Sequence, residues 1–287
     1  MKLAIASGKG GTGKTTVAVN LAALLAGQGL SPALADCDVE EPNAHLFLNP
    51  QWSAEEDSFL PVPDIDTTAC LGESCRLCID LCRFKSLLWM AGEVLVFPEL
   101  CHGCGLCSLA CPAQAVAEGK RLLGQVRQGS RGPLRFYGGV LRVGEAMATP
   151  LIKAVKAAAA GEPFQIWDCP PGTACSAIAA MDGADLVLLV AEPTAFGLHD
   201  LTLAVRLARV LGLPLAAVVN RAGMGDDRVE RFLKAEGVPI LARLPYSLEA
   251  ARLCAEGRLL VEASTELRQA YGDLWNAVRA RAGEVTP

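Results

Sequence analysis

The chain has 287 residues, 52% of them hydrophobic and 20% charged, with a net charge of -5. This length and composition allow about two domains with true apolar cores, and the acidic balance argues against a protein that coats nucleic acid through a basic surface. The apolar run at Met1-Lys2-Leu3-Ala4-Ile5-Ala6 is too short for a signal sequence or a membrane span, so a soluble, cytoplasmic protein is expected.

The ends of the chain alternate between β-rich runs and helical patterns. Lys2–Ser7 reads as a first strand, Lys14–Gln28 as a helix ended by Gly29, and 32–38 as a second strand closing on acidic residues. From about residue 61 to 129 the pattern changes to Cys- and Gly-rich sequence with few periodic segments, broken by one short strand at 93–97. Residues 134–147 return to the α/β body and 149–160 read as a helix. Strands at 164–169, 185–191, 215–220 and 240–244 then alternate with helices at 198–211, 227–236, 248–256 and 266–281. Strands separated by helices imply right-handed crossovers and a mainly parallel, doubly wound sheet covered on both faces. The expected organisation is an α/β domain formed by 1–60 and 130–287, with a small α+β domain, 61–129, inserted into it.

The first strand runs into Gly8-Lys9-Gly10-Gly11-Thr12-Gly13-Lys14-Thr15-Thr16. This fits the G-x-x-x-x-G-K-[ST] phosphate loop in its required strand–loop–helix context. Glycines let backbone N–H groups turn inward around phosphate oxygens, and the following helix aims its positive end at the same anion. Lys14 is placed to reach the β- and γ-phosphates, and the Thr15 hydroxyl to bind Mg²⁺.

The second lysine, Lys9, makes this loop resemble the deviant phosphate loop of the MinD/ParA/Mrp/nitrogenase-iron-protein ATPases. Four further segments resemble the same family. In Asp36-Cys37-Asp38, the resemblance makes Asp38 a base or water-positioning carboxylate and Asp36 a magnesium partner. In Asp168-Cys169-Pro170-Pro171-Gly172, it makes Asp168 a magnesium holder through water and the Gly172 N–H a γ-phosphate sensor. In Asn220-Arg221 and Pro245-Tyr246, it implies contacts to adenine. The resemblance also implies that Lys9 reaches the nucleotide of a partner subunit, and hence an ATP-dependent homodimer. Cys175, seven residues after Asp168, matches the offset of a cluster ligand in the nitrogenase iron protein, although no second matching cysteine is evident.

Of twelve cysteines, eight fall within 42 residues: Cys70, Cys75, Cys78, Cys82, Cys101, Cys104, Cys107 and Cys111. Such density in a reducing compartment points to metal or redox chemistry rather than disulfides. Cys101-x2-Cys104-x2-Cys107-x3-Cys111-Pro112 matches the bacterial ferredoxin run, in which the fourth cysteine serves the other of two clusters. Cys75, Cys78 and Cys82 repeat the spacing 29 residues earlier, with Cys70 two residues further out than the repeat requires. Two [4Fe–4S] clusters are expected, one on Cys70, Cys75, Cys78 and Cys111, the other on Cys101, Cys104, Cys107 and Cys82. The spacing of Cys70, Cys75 and Cys78 also fits a plant-type [2Fe–2S] run, and two four-cysteine zinc sites are the further alternative.

Along nearly its whole length the chain resembles Mrp-like ATPases with an inserted ferredoxin. That resemblance implies an ATPase that uses ATP, Mg²⁺ and two iron–sulfur clusters to couple dimer switching to electron transfer or metallocluster assembly. Its partners would be a small metallocofactor-binding protein, a sibling ATPase, or both. The alternative is a MinD- or ParA-like spatial organiser with redox-sensing clusters. No nucleic-acid partner is expected. The last helix has an apolar stripe, Leu267, Ala270, Leu274, Val278 and Ala282, that more often packs on its own sheet than on lipid.

Overall fold

The computed structural model describes residues 1–285. They form two compact units. The first comprises Met1–Glu56, Gln125–Val140 and the chain from Ala148 onward, and the second comprises Asp57–Gly124 and Leu141–Met147.

In the first unit, β1 (Lys2–Ala6), α1 (Lys14–Gly27), β2 (Ala33–Asp36) and α2 (Ala44–Leu48) come first in the chain. After the residues that lead to and from the second unit come β7 (Leu134–Leu141), α5 (Ala148–Ala158), β8 (Gln165–Asp168), α6 (Cys175–Met181), β9 (Leu186–Ala191) and α7 (Ala195–Val210). The chain continues with β10 (Leu215–Ala222), α8 (Arg228–Ala235), β11 (Ile240–Pro245), α9 (Leu248–Ala255), α10 (Leu260–Ala263) and α11 (Thr265–Val285). Two long strands, β3 (Gln51–Ile65) and β6 (Val116–Arg131), begin in one unit and end in the other.

The sheet has the order β11–β10–β9–β1–β8–β2–β7–β6–β3. Every pairing from β11 to β7 is parallel, as the alternating pattern of the sequence requires. β1 and β2 are joined by α1 but separated in the sheet by β8. This leaves their carboxyl ends open where ligands settle in such sheets. Register then aligns the site: Asp36 lies opposite Asp168, and Asp168 opposite Ile5 at the end of β1.

The core explains why α1 carries so few polar residues. Val17, Ala18, Val19, Leu21, Ala22 and Leu25 are all fully buried, as are Leu3, Ile5, Ile166 and Leu188 on the strands. A helix apolar around most of its circumference belongs inside a protein. It stops at Gln28, where the N–H of Leu30 returns to the carbonyl of Leu25 and that of Gly29 to Ala26, so the last carbonyls are satisfied. The apolar stripe of α11 is also covered: Tyr271, Leu274, Trp275 and Val278 are buried in the same core as α1. Among the described residues no helix is long and apolar enough to cross a membrane.

The long strands β3 and β6 differ from the sequence reading, which assigned no strand at 51–60 and read 61–129 as an insertion with one short strand at 93–97. β3 is the sheet's last strand in that order, carries Glu55, Glu56 and Asp57, and exposes most of its side chains. Charges and prolines such as Pro61 and Pro63 are tolerated on a terminal strand, where they also discourage pairing with other chains. They hide the alternation that marks a buried strand.

The second unit adds α3 (Leu77–Leu81), a two-stranded sheet of β4 (Leu87–Met90) and β5 (Glu93–Val96) in antiparallel register, and α4 (Leu106–Leu109). One small apolar cluster of this unit is Ile79, Leu87 and Val94, with Cys70, Cys78, Cys82 and Cys107 packed around it. Such a cluster supplies little stability alone, and units of this size usually need crosslinks or metals.

One glycine of the first unit has a sharp role. A Cβ at Gly8 would lie 2.0 Å from the carbonyl oxygen of Asp200 in α7. The two nearest atoms, the carbonyl oxygen and carbon of Asp200, are backbone, so neither can rotate away. Gly8→Ala is expected to push the phosphate loop off α7 and to lower stability by about 1–3 kcal/mol, read as a lower Tm of the nucleotide-free chain.

Candidate functional site

The first cluster of functional residues grows from the loop after β1. Gly13, at φ +95, precedes the first turn of α1, Lys14-Thr15-Thr16, and a Cβ there would lie 2.3 Å from the Asn220 amide nitrogen. That amide donates to the carbonyl of Thr12 at 2.7 Å, so β10 holds the loop from one side. From the other side, the Gly172 N–H donates to the carbonyl of Ser7 at 3.0 Å, and the Ser7 hydroxyl donates to the carbonyl of Lys9 at 2.6 Å. Gly172 therefore stands beside the loop but spends its N–H on the loop's own backbone in this conformation.

Three carboxylates gather beneath the loop. Asp36 is fully buried and accepts from the N–H groups of Asp38, at 3.2 Å, and Ala44, at 3.1 Å. Asp168 is also fully buried, and among the described residues its oxygens make no close hydrogen bond, although the Thr15 hydroxyl favours its charged form. Burial pushes both above the usual carboxylate range; each also feels a neighbouring carboxylate, while the Thr15 hydroxyl and Lys14 oppose the shift at Asp168. Asp38 is half-buried, and burial raises it to about 6 against the pull of Lys14. The Thr12 hydroxyl oxygen is buried and without a partner as well. Such a set is short of positive charge. Among the described residues no three Asp, Glu, His or Cys side chains close on one point as they would around a bare metal ion. Mg²⁺ bound through phosphate oxygens, water and one or two protein oxygens needs no such enclosure, and the Asp168 oxygens, which make no close hydrogen bond, fit that role.

Asn220, Arg221 and Pro245 come together with Gly13 and Thr16 around a cavity of about 220 Å³. Cys254 and Tyr271 line it too, and were not expected from the sequence, because α9 and α11 carry no motif. Glu192, just past β9, is another residue that sequence reasoning missed. Its buried carboxylate meets the Lys9 ammonium at 3.4 Å and the Arg221 guanidinium at 3.3 Å. Lys9 thus faces its own chain. Cys37 and Cys169 are buried, and Cys175 is exposed at the start of α6.

The eight clustered cysteines of the second unit sort into two groups. Cys82, Cys101, Cys104 and Cys107 line one cavity. Cys70, Cys75, Cys78 and Cys111 line another. In each group three cysteines come from one loop and the fourth from the other.

The reason is visible in the backbone. Phe97, before the second cysteine group, donates its N–H to the carbonyl of Ser86, after the first. Asp66, before the first group, donates to the carbonyl of Ala115, after the second. The chain leaving each group therefore pairs with the chain entering the other, which carries each fourth cysteine across. The repeat holds in conformation too. Arg76 and Gly105, related by the repeat, are both left-handed (φ 51 and 72), as are Lys85 and Gln114 (φ 54 and 52).

The sulfurs also receive donors. The Gly103 N–H points at the Cys101 sulfur at 3.4 Å, and the Ala115 N–H at that of Cys111 at 3.3 Å. Burial alone would raise the Cys82 thiol, but the Ser86 hydroxyl and the amides of Ser86, Phe84 and Lys85 outweigh it and lower its pKa. Cys78 and Cys107 are raised, burial being the main cause. Thiolates with N–H donors suit iron–sulfide cores. His102 stacks on Phe84 at 3.7 Å beside the first of these cavities.

The chain belongs to the CobQ/CobB/MinD/ParA nucleotide binding domain family, whose profile matches residues 3–261. Among individual relatives, an uncharacterized protein of Methanocaldococcus jannaschii is 29% identical over 97% of this chain and 96% of its own. The iron-sulfur cluster carrier protein of Pyrococcus horikoshii is 26% identical, covering 87% of this chain and 75% of its own. Among solved structures, the fold is similar to the septum site-determining protein MinD complexed with Mg-ADP from Pyrococcus horikoshii, with a TM-score of 0.59, 21% identity and coverage of 100% and 96%.

Proposed function

We propose that this chain is an ATP-hydrolysing member of its family whose nucleotide-dependent dimerisation governs a two-cluster iron–sulfur lobe, serving electron transfer or metallocluster assembly on a partner protein. The observation that carries the reading is the coexistence of two sites in one chain. One is a phosphate loop over a buried Asp168 carboxylate that makes no close hydrogen bond. The other is a lobe whose eight cysteines divide four and four across its internal repeat.

In the nucleotide site, Gly8, Gly10, Gly11, Thr12 and Gly13 would wrap the phosphates with backbone N–H groups. Lys14 would neutralise the β- and γ-phosphates, and Thr15 and Asp168 would hold Mg²⁺ with Asp36 behind them. Asp38, at the mouth, would accept a proton from the attacking water or orient it. Thr16, Asn220, Arg221 and Pro245 would border the base. The Gly172 N–H would leave the Ser7 carbonyl for the γ-phosphate, which is how a switch segment reports hydrolysis.

In the lobe, Cys70, Cys75, Cys78 and Cys111 would hold one [4Fe–4S] cluster, and Cys101, Cys104, Cys107 and Cys82 the other. When bound, such clusters supply one-electron chemistry at a potential set by charge, solvent and hydrogen bonds to sulfur. The name of the Pyrococcus relative, an iron-sulfur cluster carrier protein, supports the cluster part of this reading. A small metallocofactor-binding protein or a sibling ATPase is the partner that fits it.

The test is anaerobic purification followed by iron analysis and an ATPase assay on the same material. About eight irons per chain and ATP turnover are expected together. Colourless protein after reconstitution, or protein indifferent to adenine nucleotides, would end the proposal. Dimerisation is tested separately: Lys9→Ala is expected to weaken ATP-dependent self-association at least about tenfold, or 1.4 kcal/mol, by light scattering. Unchanged association would remove the role given to Lys9.

A further inference from the structure

The Glu192 carboxylate has a geometry that the proposed cycle does not yet use. It lies just past β9, and its residue is only 8% exposed. One oxygen faces the Lys9 ammonium at 3.4 Å and the other faces the Arg221 guanidinium at 3.3 Å. The three residues come from three places: the phosphate loop, the end of β9 and the end of β10.

The backbone around Glu192 is fixed. Its carbonyl accepts the Thr194 N–H at 2.8 Å. A Cβ on Gly197 would lie 2.4 Å from that same oxygen, so the first turn of α7 presses directly on it. Thr194 in turn caps α7 through its hydroxyl, which accepts from the Gly197 N–H at 3.0 Å. The carboxylate is therefore presented from a rigid corner, whereas Lys9 reaches it on a flexible stem.

We propose that Glu192 is a positioning residue that holds Lys9 against its own chain, and that Lys9 must leave Glu192 before it can serve the nucleotide of a second copy. This rests on the ATP-dependent dimer proposed above. The double pairing makes the exchange feasible. A buried carboxylate stripped of its sole cation is costly, but Glu192 keeps Arg221 when Lys9 departs. A triphosphate offers Lys9 a denser negative charge than one shared carboxylate, so the lysine exchanges one anion for a stronger one. Arg221 also borders the cavity that contains Asn220 and Gly13. A base in that cavity would meet the same guanidinium that anchors Glu192, which links its occupancy to the hold on Lys9.

Glu192→Gln tests this, because the amide keeps the shape and an acceptor for Arg221 but loses the charge that retains Lys9. Two measurements are made on the full chain. The first is the labelling rate of Lys9 by reductive methylation without nucleotide, read by mass spectrometry. E192Q is expected to speed it several-fold, with Glu192→Asp in between and an exposed lysine such as Lys120 unchanged. The second is self-association with ATP and Mg²⁺, which E192Q is expected to tighten about tenfold while the nucleotide-free chain stays monomeric.

Equal Lys9 labelling in wild type and E192Q overturns the proposal, as does faster labelling without tighter ATP-dependent association. Should E192Q fail to fold, E192D carries the same comparison with a shortened, still charged side chain. A wild-type chain that remains monomeric with ATP instead overturns the dimer reading on which this rests, and does so whatever the labelling shows. The two failures are thus told apart by the wild type alone.

Discussion

Replacing Cys111 by alanine is expected to reproduce the spectrum of Cys75→Ala, not that of its near neighbour Cys104→Ala. If the sulfurs serve clusters in the groups that line the two cavities, C111A and C75A each damage the same cluster. Likewise C82A and C104A damage the other. Each single variant should fall from about eight irons to about four, and the electron paramagnetic resonance of the reduced protein should fall into two matched pairs. The backbone gives the physical reason. The Phe97–Ser86 and Asp66–Ala115 hydrogen bonds tie the exit of each cysteine group to the entrance of the other. A local assignment, with Cys101, Cys104, Cys107 and Cys111 on one cluster, would instead pair C111A with C104A. Because Cys70, Cys78, Cys82 and Cys107 pack against the small apolar cluster of Ile79, Leu87 and Val94, loss of a cluster should also loosen the lobe. Faster proteolysis within 57–124 is the accompanying readout.

These features were unequally legible in the sequence. The phosphate loop could be read because phosphate binding demands a fixed local order of glycines, lysine and hydroxyl. The parallel order of the inner strands was legible for a similar reason: β9 and β10 are short apolar runs between helical patterns. The repeat in the cysteines was visible as spacing, and the structure adds its backbone basis in Arg76 and Gly105, both left-handed. No propensity would put Arg76 there. It follows from a loop that repeats the one in which Gly105 adopts that conformation at little cost.

What was missed depends on contacts distant in sequence or on strands without an apolar face. β3 alternates little, because most of its side chains are exposed. Its identity comes from backbone pairing, which leaves no mark in composition. Glu192 reads as the polar residue that ends a buried strand, and only the fold brings it to Lys9, far earlier in the chain. Cys254 and Tyr271 enter the cavity beside Asn220 because the fold brings α9 and α11 to it, which no local motif encodes. Gly172 was legible as a loop glycine, but its hydrogen bond to Ser7 belongs to one conformation of a segment proposed to switch.

Lys14→Ala is expected to lower ATP turnover by at least about 10²-fold, the scale on which removing a preorganised charge stabiliser slows a reaction, while iron content and visible absorbance stay at wild-type values. Lys14 is 6% exposed at the first turn of α1, where the helix dipole and the loop's N–H groups already favour an anion. Its ammonium stands near Asp38 and Asp168 and draws both pKa values down. Removing it therefore takes the cation from the phosphates and leaves Asp38 and Asp168 more reluctant to ionise, so Mg²⁺ should bind more weakly as well. The cysteines are untouched by this chemistry: they belong to a unit with its own small apolar cluster, and Lys14 belongs to the other. Separate loss is thus the expected signature, with hydrolysis gone and colour retained. A variant that lost its iron along with its ATPase activity would show that nucleotide binding is needed to keep the clusters in place, and the two sites would have to be treated as one cooperative structure rather than as a motor and its cargo-bearing lobe.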